Sequence, residues 1–183
     1  VMRAFRKIFR LMSLGIMLVI LAVVGYNIAM RYMYPLKMTS YVEKYSRDFG
    51  IDRETVYAVI KCESNFDPDA VSSAGAVGLM QITEETFYDV GILLEDEDHT
   101  FESHATDPEI NIRYGTRYLK FLLDFFDGDK TAAIAAYNGG MGNVSDWMNG
   151  SSELDTESIE FRETKSYVKR VLAAEKHYKT LYD

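Results

Sequence analysis

Residues 63–81 read ESNFDPDAVSSAGAVGLMQ, and this stretch decides the fold. Val59 and Ile60 precede it at helical spacing, so Glu63 continues the apolar stripe of a predicted helix. The Asp-Pro pair at 67–68 favours a turn, and two glycines farther on permit backbone shapes that other residues resist. The pattern predicts one carboxylate held on an apolar wall, with loops that wrap around a long substrate.

Helical patterns continue through the rest of the chain. Asp107, Pro108 and Glu109 form a helix start with a capping residue, a proline at the first helical position and an acid in the first turn. Further helices are predicted over residues 39–48, 130–137, 144–148 and 162–182, with additional starts at Asp52 and Thr83. No alternating strand pattern of useful length and no internal repeat appears. The sequence therefore predicts an all-α domain.

An uncharged stretch over residues 11–30 precedes that domain. As a helix it spans roughly 30 Å, the thickness of the hydrocarbon core of a bilayer. Four basic residues lie before it, which favours a cytoplasmic N-terminus and a domain on the other side of the membrane. A cleaved signal peptide and a buried core helix are the alternatives, although the exit shows no clear small-residue cleavage site.

These patterns divide the 183 residues into four parts: a cytoplasmic basic tail (1–10), a transmembrane anchor in contact with membrane lipid (11–30), a linker (31–38) and a domain (39–183). A linker of about eight residues predicts that the domain acts close to the bilayer. The charge is unevenly divided along the chain. Residues 1–31 carry five basic and no acidic side chains, and residues 32–183 carry the remaining 15 basic and all 28 acidic ones. So acidic a domain argues against nucleic acid as a partner.

Cys62 is the only cysteine, so no disulfide forms within the chain. Its position beside Glu63 invites the interpretation of a nucleophile. Adjacent helical residues, however, point about 100° apart, and no histidine lies nearby in sequence to activate a thiol. We therefore expect Cys62 to be buried and inert.

Two further motifs accompany the first. Residues 136–140 read AYNGG, and Glu163-Thr164 is followed by Tyr167-Val168 and Arg170-Val171. In this order, the three motifs resemble those of the soluble-lytic-transglycosylase type of peptidoglycan-cleaving enzyme, glycoside hydrolase family 23, over roughly residues 40–182. The resemblance implies a lysozyme-like domain, all-α or α+β at most by a small hairpin remnant near residues 71–80.

The chemistry implied by this resemblance needs one acid. An acid delivers a proton near neutral pH when its pKa is raised, and burial on an apolar wall raises it. Many glycosidases add a second carboxylate, and none is evident here: Asp67 and Asp69 flank a proline in a turn, where capping is the simpler role. In the family, one glutamate, here Glu63, acts first as acid and then as base.

The implied reaction cuts peptidoglycan strands between N-acetylmuramic acid and N-acetylglucosamine and leaves 1,6-anhydromuramic ends. It uses no cofactor and no metal. A hydrolytic muramidase on the same scaffold and an inactive wall-binding module are the alternatives, and sequence separates the first of these poorly. The sequence identifies no protein partner in the cell envelope.

The resemblance also implies substrate-binding roles, and each has a structural alternative. Ser72 matches an active-site serine or is a turn hydroxyl, and Gln81 faces the groove or ties down the glycine bend. Tyr137 and Asn138 match a Tyr-Asn pair at the groove or simply end a helix.

Two residues of the last motif carry similar expectations. Glu163 matches a second acid that orients Tyr137 and the groove, or it is a helix-start acid favoured by the helix dipole. Tyr167 contacts sugar or packs in the core.

Overall fold

The structure, a computed structural model, describes residues 2–182, without the side chains of residues 4, 5 and 8. Residues 1 and 183, the outer limits of the predicted tail and domain, lie outside this range. In the described part the chain forms nine α-helices and one short 3₁₀-helix, Thr156–Ser158. The α-helices are α1 (Met2–Met33), α2 (Thr39–Phe49), α3 (Arg53–Glu63), α4 (Glu84–Leu94), α5 (Phe101–His104), α6 (Pro108–Phe125), α7 (Lys130–Gly139), α8 (Met141–Met148) and α9 (Arg162–Tyr182).

Local capping determines several of these boundaries. The Asp107 side chain accepts hydrogen bonds from the backbone N–H groups of Glu109 and Ile110, which confirms the predicted start of α6. Thr83 caps α4 in the same way, by accepting from the N–H of Thr86. Gly50 ends α2 in the left-handed region, at φ 68°. The predicted helix at 144–148 begins earlier, at Met141.

The core lies between α3, α6, α7 and α9. Helix α3 packs along α9, α6 packs against α2 and α7, and α7 also contacts α9. Residues 132–136 of α7 read AAIAA and are completely or almost completely buried. These small side chains let α7 approach its neighbours closely, so its C-terminal end reaches the end of α3 where Glu63 lies.

Residues 70–82 form a compact bend beside that point. Isolated antiparallel bridges join Val71 to Val77 and Val77 to Ile82. Residues 2–182 contain no β-strand longer than these single-residue bridges. This is the hairpin remnant that was expected near residues 71–80. Gly78 has φ 79° and packs against the side chain of Asn111, so a residue with a Cβ would both strain the backbone and clash there.

Helix α1 differs in character from the others. Within the apolar segment Phe9–Met33, the most apolar 18-residue window has a mean hydropathy of 2.2, and none of that window is buried against the rest of the protein. That exposure excludes the buried core helix as an explanation, and the length and composition of the segment fit a membrane span. The helix continues to Met33, so only residues 34–38 of the expected linker separate it from α2.

Residues 95–98 read EDED, a composition typical of a solvated loop, yet one of these carboxylates is buried. The Asp96 side chain is only 7% exposed, and it accepts hydrogen bonds from Arg113 and from His99, at 2.6 and 2.7 Å. Burial of this carboxylate is compensated by two partners, one of which lies 17 residues away on α6. Sequence-local reasoning did not include that distant arginine.

Candidate active site

Glu63 is the last residue of α3 and is partly buried. The hydroxyl of Tyr167, on α9, donates a hydrogen bond of 2.5 Å to Glu63 Oε1. Burial raises the pKa of Glu63 from 4.5 to about 7, while the Tyr167 hydrogen bond and the positive charge of Arg170 act in the opposite direction. Glu63 therefore changes protonation near neutral pH.

The two tyrosines at the site keep their protons. Tyr167 is 2% exposed, and burial, reinforced by the negative charge of Glu63, raises its pKa well above the ordinary value. Burial raises the pKa of Tyr137 in the same way, and Glu63 again contributes. Both hydroxyls therefore remain donors over the whole range in which Glu63 titrates.

Tyr137 lies near the end of α7 but does not bond to Glu63. Its hydroxyl donates to the backbone carbonyl of Met80 at 2.8 Å, and its ring packs against Tyr118 with centroids 5.4 Å apart. The Tyr137 hydroxyl therefore fastens the 70–82 bend to α7. Together the two elements form one wall beside Glu63.

Asn138 follows on the same helix and is tied to α9. Its side-chain oxygen accepts a 2.8 Å hydrogen bond from the hydroxyl of Thr164. Glu163, one residue earlier, is exposed, and among residues 2–182 its carboxylate has no hydrogen-bond or ion-pair partner. Glu163 therefore makes no bond to Tyr137 here, because the Met80 carbonyl holds the Tyr137 hydroxyl and Thr164 makes the link to α7. The expected role of Glu163 at the groove stays a prediction.

Ser72 and Gln81 both serve the bend itself. Ser72 Oγ accepts a 3.0 Å hydrogen bond from the backbone N–H of Ala76. The side-chain amide of Gln81 donates to the carbonyls of Ala70 and Gly78, at 3.0 and 2.9 Å. Both residues therefore perform the turn roles described as alternatives above, and both remain partly exposed on the side of the bend.

Asn111 is an organising residue that sequence reasoning missed. It is 1% exposed on α6, accepts a 2.7 Å hydrogen bond from the backbone N–H of Met80, and donates to the carbonyls of Val77 and Ala105 at 3.0 and 2.6 Å. One amide therefore fixes the whole bend against α6. The available signal was an asparagine at a core position of an otherwise apolar helix face.

A second missed feature is the fit of Met80 against α6. Met80 is fully buried, and a Cβ on Gly115 would lie 2.5 Å from its sulfur atom. The hydroxyl of Thr116 also donates to that sulfur at 3.8 Å. Ser64 adds a further tie, since its hydroxyl donates to the carbonyl of Leu79 at 2.8 Å. Close packing therefore fixes the position of the bend and, with it, the position of the Met80 carbonyl that binds the Tyr137 hydroxyl.

The site offers proton chemistry and no metal centre within the described residues. Residues 2–182 contain no cluster of three or more His, Cys, Asp or Glu side chains that would hold a metal ion. Cys62 is partly buried, and burial raises the pKa of its thiol to about 11, as suits the inert role expected for it. Glu63 is thus the group of this cluster that exchanges a proton near neutral pH.

Comparison with known proteins agrees with this arrangement. The chain is 34% identical to the soluble lytic murein transglycosylase of Salmonella typhimurium over 151 residues, which cover 80% of this chain and 23% of that protein. It is 37% identical over 116 residues to the membrane-bound lytic murein transglycosylase C of Sodalis glossinidius, covering 59% of this chain and 32% of that one.

A solved structure extends the likeness to three dimensions. The 70 kDa soluble lytic transglycosylase SLT70 of Escherichia coli superposes with a TM-score of 0.78 at 32% identity, over 82% of this chain and 25% of that one. This confirms the predicted lysozyme-like, all-α fold class. The chain spans about a quarter to a third of the length of these relatives. Residues 40–159 match the Transglycosylase SLT domain, and the chain belongs to that family.

Proposed function

We propose that this chain is a membrane-anchored lytic transglycosylase that cuts the glycan strands of bacterial peptidoglycan without water. One observation carries the proposal. Glu63 lies partly buried at the end of α3 and accepts a hydrogen bond from Tyr167, and its burial raises the pKa of its carboxyl group to about 7. A group with that pKa both gives and takes a proton at neutral pH, as a single-acid mechanism requires.

The proposed reaction uses the Glu63 carboxyl group twice, first as a proton donor and then as a proton acceptor. Protonated Glu63 gives its proton to the oxygen between N-acetylmuramic acid and N-acetylglucosamine, and the bond from the anomeric carbon to that oxygen breaks. The acetamido group of the substrate stabilises the positive centre that develops. The Glu63 carboxylate then accepts the proton of the 6-hydroxyl of the muramic acid, whose oxygen bonds to the anomeric carbon. The product is a 1,6-anhydro ring, and Glu63 regains its starting state.

The surrounding residues position the substrate and the acid in this proposal. Tyr167 fixes the rotamer of Glu63 by its hydrogen bond. Tyr137 and Asn138 on α7, together with Ser72 and Gln81 on the bend fastened to it, present one wall of the groove. Their hydrogen bonds hold these elements in place, as pre-organised sites require.

The anchor completes the proposal. We infer that α1 crosses the cytoplasmic membrane with the N-terminus inside, because its basic residues precede the apolar segment. The domain then lies in the extracytoplasmic envelope, where peptidoglycan is found. Protease added to intact spheroplasts tests this topology. It removes the domain if the inference is correct and leaves it whole if the orientation is reversed.

Mass spectrometry of digested peptidoglycan tests the reaction. The full-length wild-type protein should release anhydro-muropeptides, each lighter by one water than the hydrolytic product, and Glu63→Gln should release none. Glu153→Gln, a matched change at an exposed acid, should behave as the wild type. Reducing ends would identify a hydrolytic muramidase instead. Peptidoglycan that is bound but never cut would identify a wall-binding module.

A further inference from the structure

A cleft of 420 Å³ lies beside the active site and does not include Glu63. Three parts of the chain line it: Tyr34, which follows α1, then Lys61 and Cys62 of α3, and the face of α9 formed by Arg170, Ala173 and Ala174. The proposed catalytic role of the domain makes no use of this cleft. It therefore calls for an explanation of its own.

Lys61 and Arg170 are cations that face this cleft, and Glu63 is the acid whose charge Arg170 influences from nearby. In the part of the chain that the structure describes, neither Lys61 nor Arg170 has a carboxylate within ion-pair distance. The Lys61 ammonium donates to the side-chain oxygen of Asn65 and lies 5.9 Å from the centre of the Tyr34 ring. Arg170 donates to the hydroxyl of Ser166 at 3.2 Å, and its side chain also interacts with the thiol of Cys62. In a protein of net charge −8, such a pair is a local site for an anion.

The position of the cleft is fixed relative to the anchor. Tyr34 is the residue directly after α1, and its backbone carbonyl accepts a 2.8 Å hydrogen bond from the hydroxyl of Tyr182. Arg31, still within α1, donates to the carbonyl of Leu181 at 2.7 Å and lies over the Tyr182 ring at 4.7 Å. Helix α9 is therefore clasped to the end of α1.

The ring of Tyr34 is held by the same clasp. It packs against His177 with ring centroids 4.7 Å apart and edge-on against Tyr178 at 5.6 Å. The Tyr178 hydroxyl also donates to the carbonyl of Pro35, at 3.3 Å. Since amphipathic rings at the end of a membrane span settle at headgroup level, the cleft opens at the height of the lipid phosphates.

We propose that this cleft binds the phosphate group of an anionic membrane lipid. Arg170 supplies a planar set of donors that suits phosphate oxygens, and Lys61 supplies a compact charge on the opposite wall. Tyr34 lines the cleft on the side of the anchor, and the small side chains of Ala173 and Ala174 leave room for the headgroup. The proposal rests on the membrane-spanning role given to α1.

The site would hold the domain in one orientation on the bilayer. The clasp fixes α9 to the anchor, and a bound phosphate would fix α3 and α9 to the lipid surface at a second point. Glu63 follows Lys61 by two residues, so the catalytic acid would lie close to the headgroup layer. The commitment is to a lipid phosphate rather than free phosphate because Tyr34, directly after the span, forms one wall.

Native mass spectrometry of the full chain released from nanodiscs tests the proposal. The discs contain phosphatidylcholine with or without phosphatidylglycerol, and retained lipid is counted per protein. The wild type should retain phosphatidylglycerol in preference to phosphatidylcholine. The double variant Lys61→Gln/Arg170→Gln should lose that affinity by about tenfold or more. The double variant Arg117→Gln/Lys176→Gln, which removes the same charge elsewhere, should retain the lipid as the wild type does.

Each outcome has one meaning. Equal losses in the two double variants would show general attraction by charge and overturn the site. Displacement of the lipid by inorganic phosphate at equal concentration would show that the cleft takes free phosphate and would overturn the lipid assignment. A chain that does not insert into the discs overturns the anchor, and this proposal with it. Insertion without lipid retention overturns the cleft alone and leaves the proposed glycan cleavage untouched.

Discussion

Tyr167→Phe should move the alkaline limit of activity to higher pH. The hydroxyl of Tyr167 donates to Glu63 Oε1 at 2.5 Å, and such a bond favours the ionised carboxylate. Its removal leaves the burial of Glu63 unopposed by that donor, so the pKa of Glu63 rises above its value of about 7. Because the first proposed step needs the protonated acid, activity persists to higher pH than in the wild type.

The size of the change follows from the strength of one hydrogen bond. A hydrogen bond to a charged group contributes about 1.5–3 kcal/mol. One pH unit corresponds to about 1.4 kcal/mol, so the alkaline limb should move upward by about one to two pH units. The maximal rate should fall as well, since Glu63 loses the contact that fixes its rotamer.

The assay is the pH dependence of kcat/KM on soluble glycan strands, which reports the pKa of the free enzyme. Tyr137→Phe is the matched control, because its hydroxyl bonds to the Met80 carbonyl and not to Glu63. That variant should keep the wild-type position of the limb whatever its rate. An unchanged or lowered limb in Tyr167→Phe, with the fold intact by circular dichroism, would refute the assignment of Glu63 as the titrating acid.

Three further changes test stability by urea denaturation. The pKa of Glu63 is about 7 in the folded protein and 4.5 in the unfolded chain, so the free energy of unfolding of the wild type falls as the pH rises from 4 to 8. Glu63→Gln lacks this group, so its free energy of unfolding should rise by about 3 kcal/mol relative to that of the wild type over the same range. A pH-independent difference would contradict this reasoning. Asn111→Ala should cost on the order of 4 kcal/mol, because it leaves the buried Met80 N–H and Ala105 carbonyl unpaired, while the Val77 carbonyl keeps its bond from the Ile82 N–H. Asn143→Ala removes one exposed hydrogen bond and should cost less than about 1 kcal/mol. Gly115→Ala should destabilise the protein by about 2 kcal/mol, because the added Cβ would overpack against Met80. The control Gly142→Ala has open space around it and should be neutral or stabilising. Equal effects of the two changes would count against the packing argument.

Local signals predicted the helices well because their causes are local. The start of α6 needs only Asp107 and the residues just after it, and the end of α2 needs only a glycine. Burial of Asp96 depends instead on Arg113, which lies 17 residues farther along the chain and so outside the local sequence around the acidic run. The charge of the run alone therefore indicates a solvated loop, but it does not reveal that a distant arginine allows one of its carboxylates to be buried.

The candidate site shows the same division. Helical spacing placed Glu63 on an apolar face, and its burial follows from that face. The partner of its carboxyl group, Tyr167, lies 104 residues away and is brought near only by the packing of α9 on α3. Glu163 and Thr164 show the same limit, because these neighbours in sequence face solvent and α7 respectively, and only packing decides which of them reaches Asn138.

The absence of an evident second acid in the sequence acquires a physical meaning once the pKa values around Glu63 are considered. Tyr137 and Tyr167 hold their protons because burial raises their pKa values, and the thiol of Cys62 does so because its pKa is about 11. None of these groups accepts a proton at neutral pH. Glu63 does, and its pKa near 7 divides its population between acid and base. A reaction here that both donates and removes a proton must therefore return to the same carboxyl group, and the 6-hydroxyl of the sugar is an internal proton source that makes such a return possible without water.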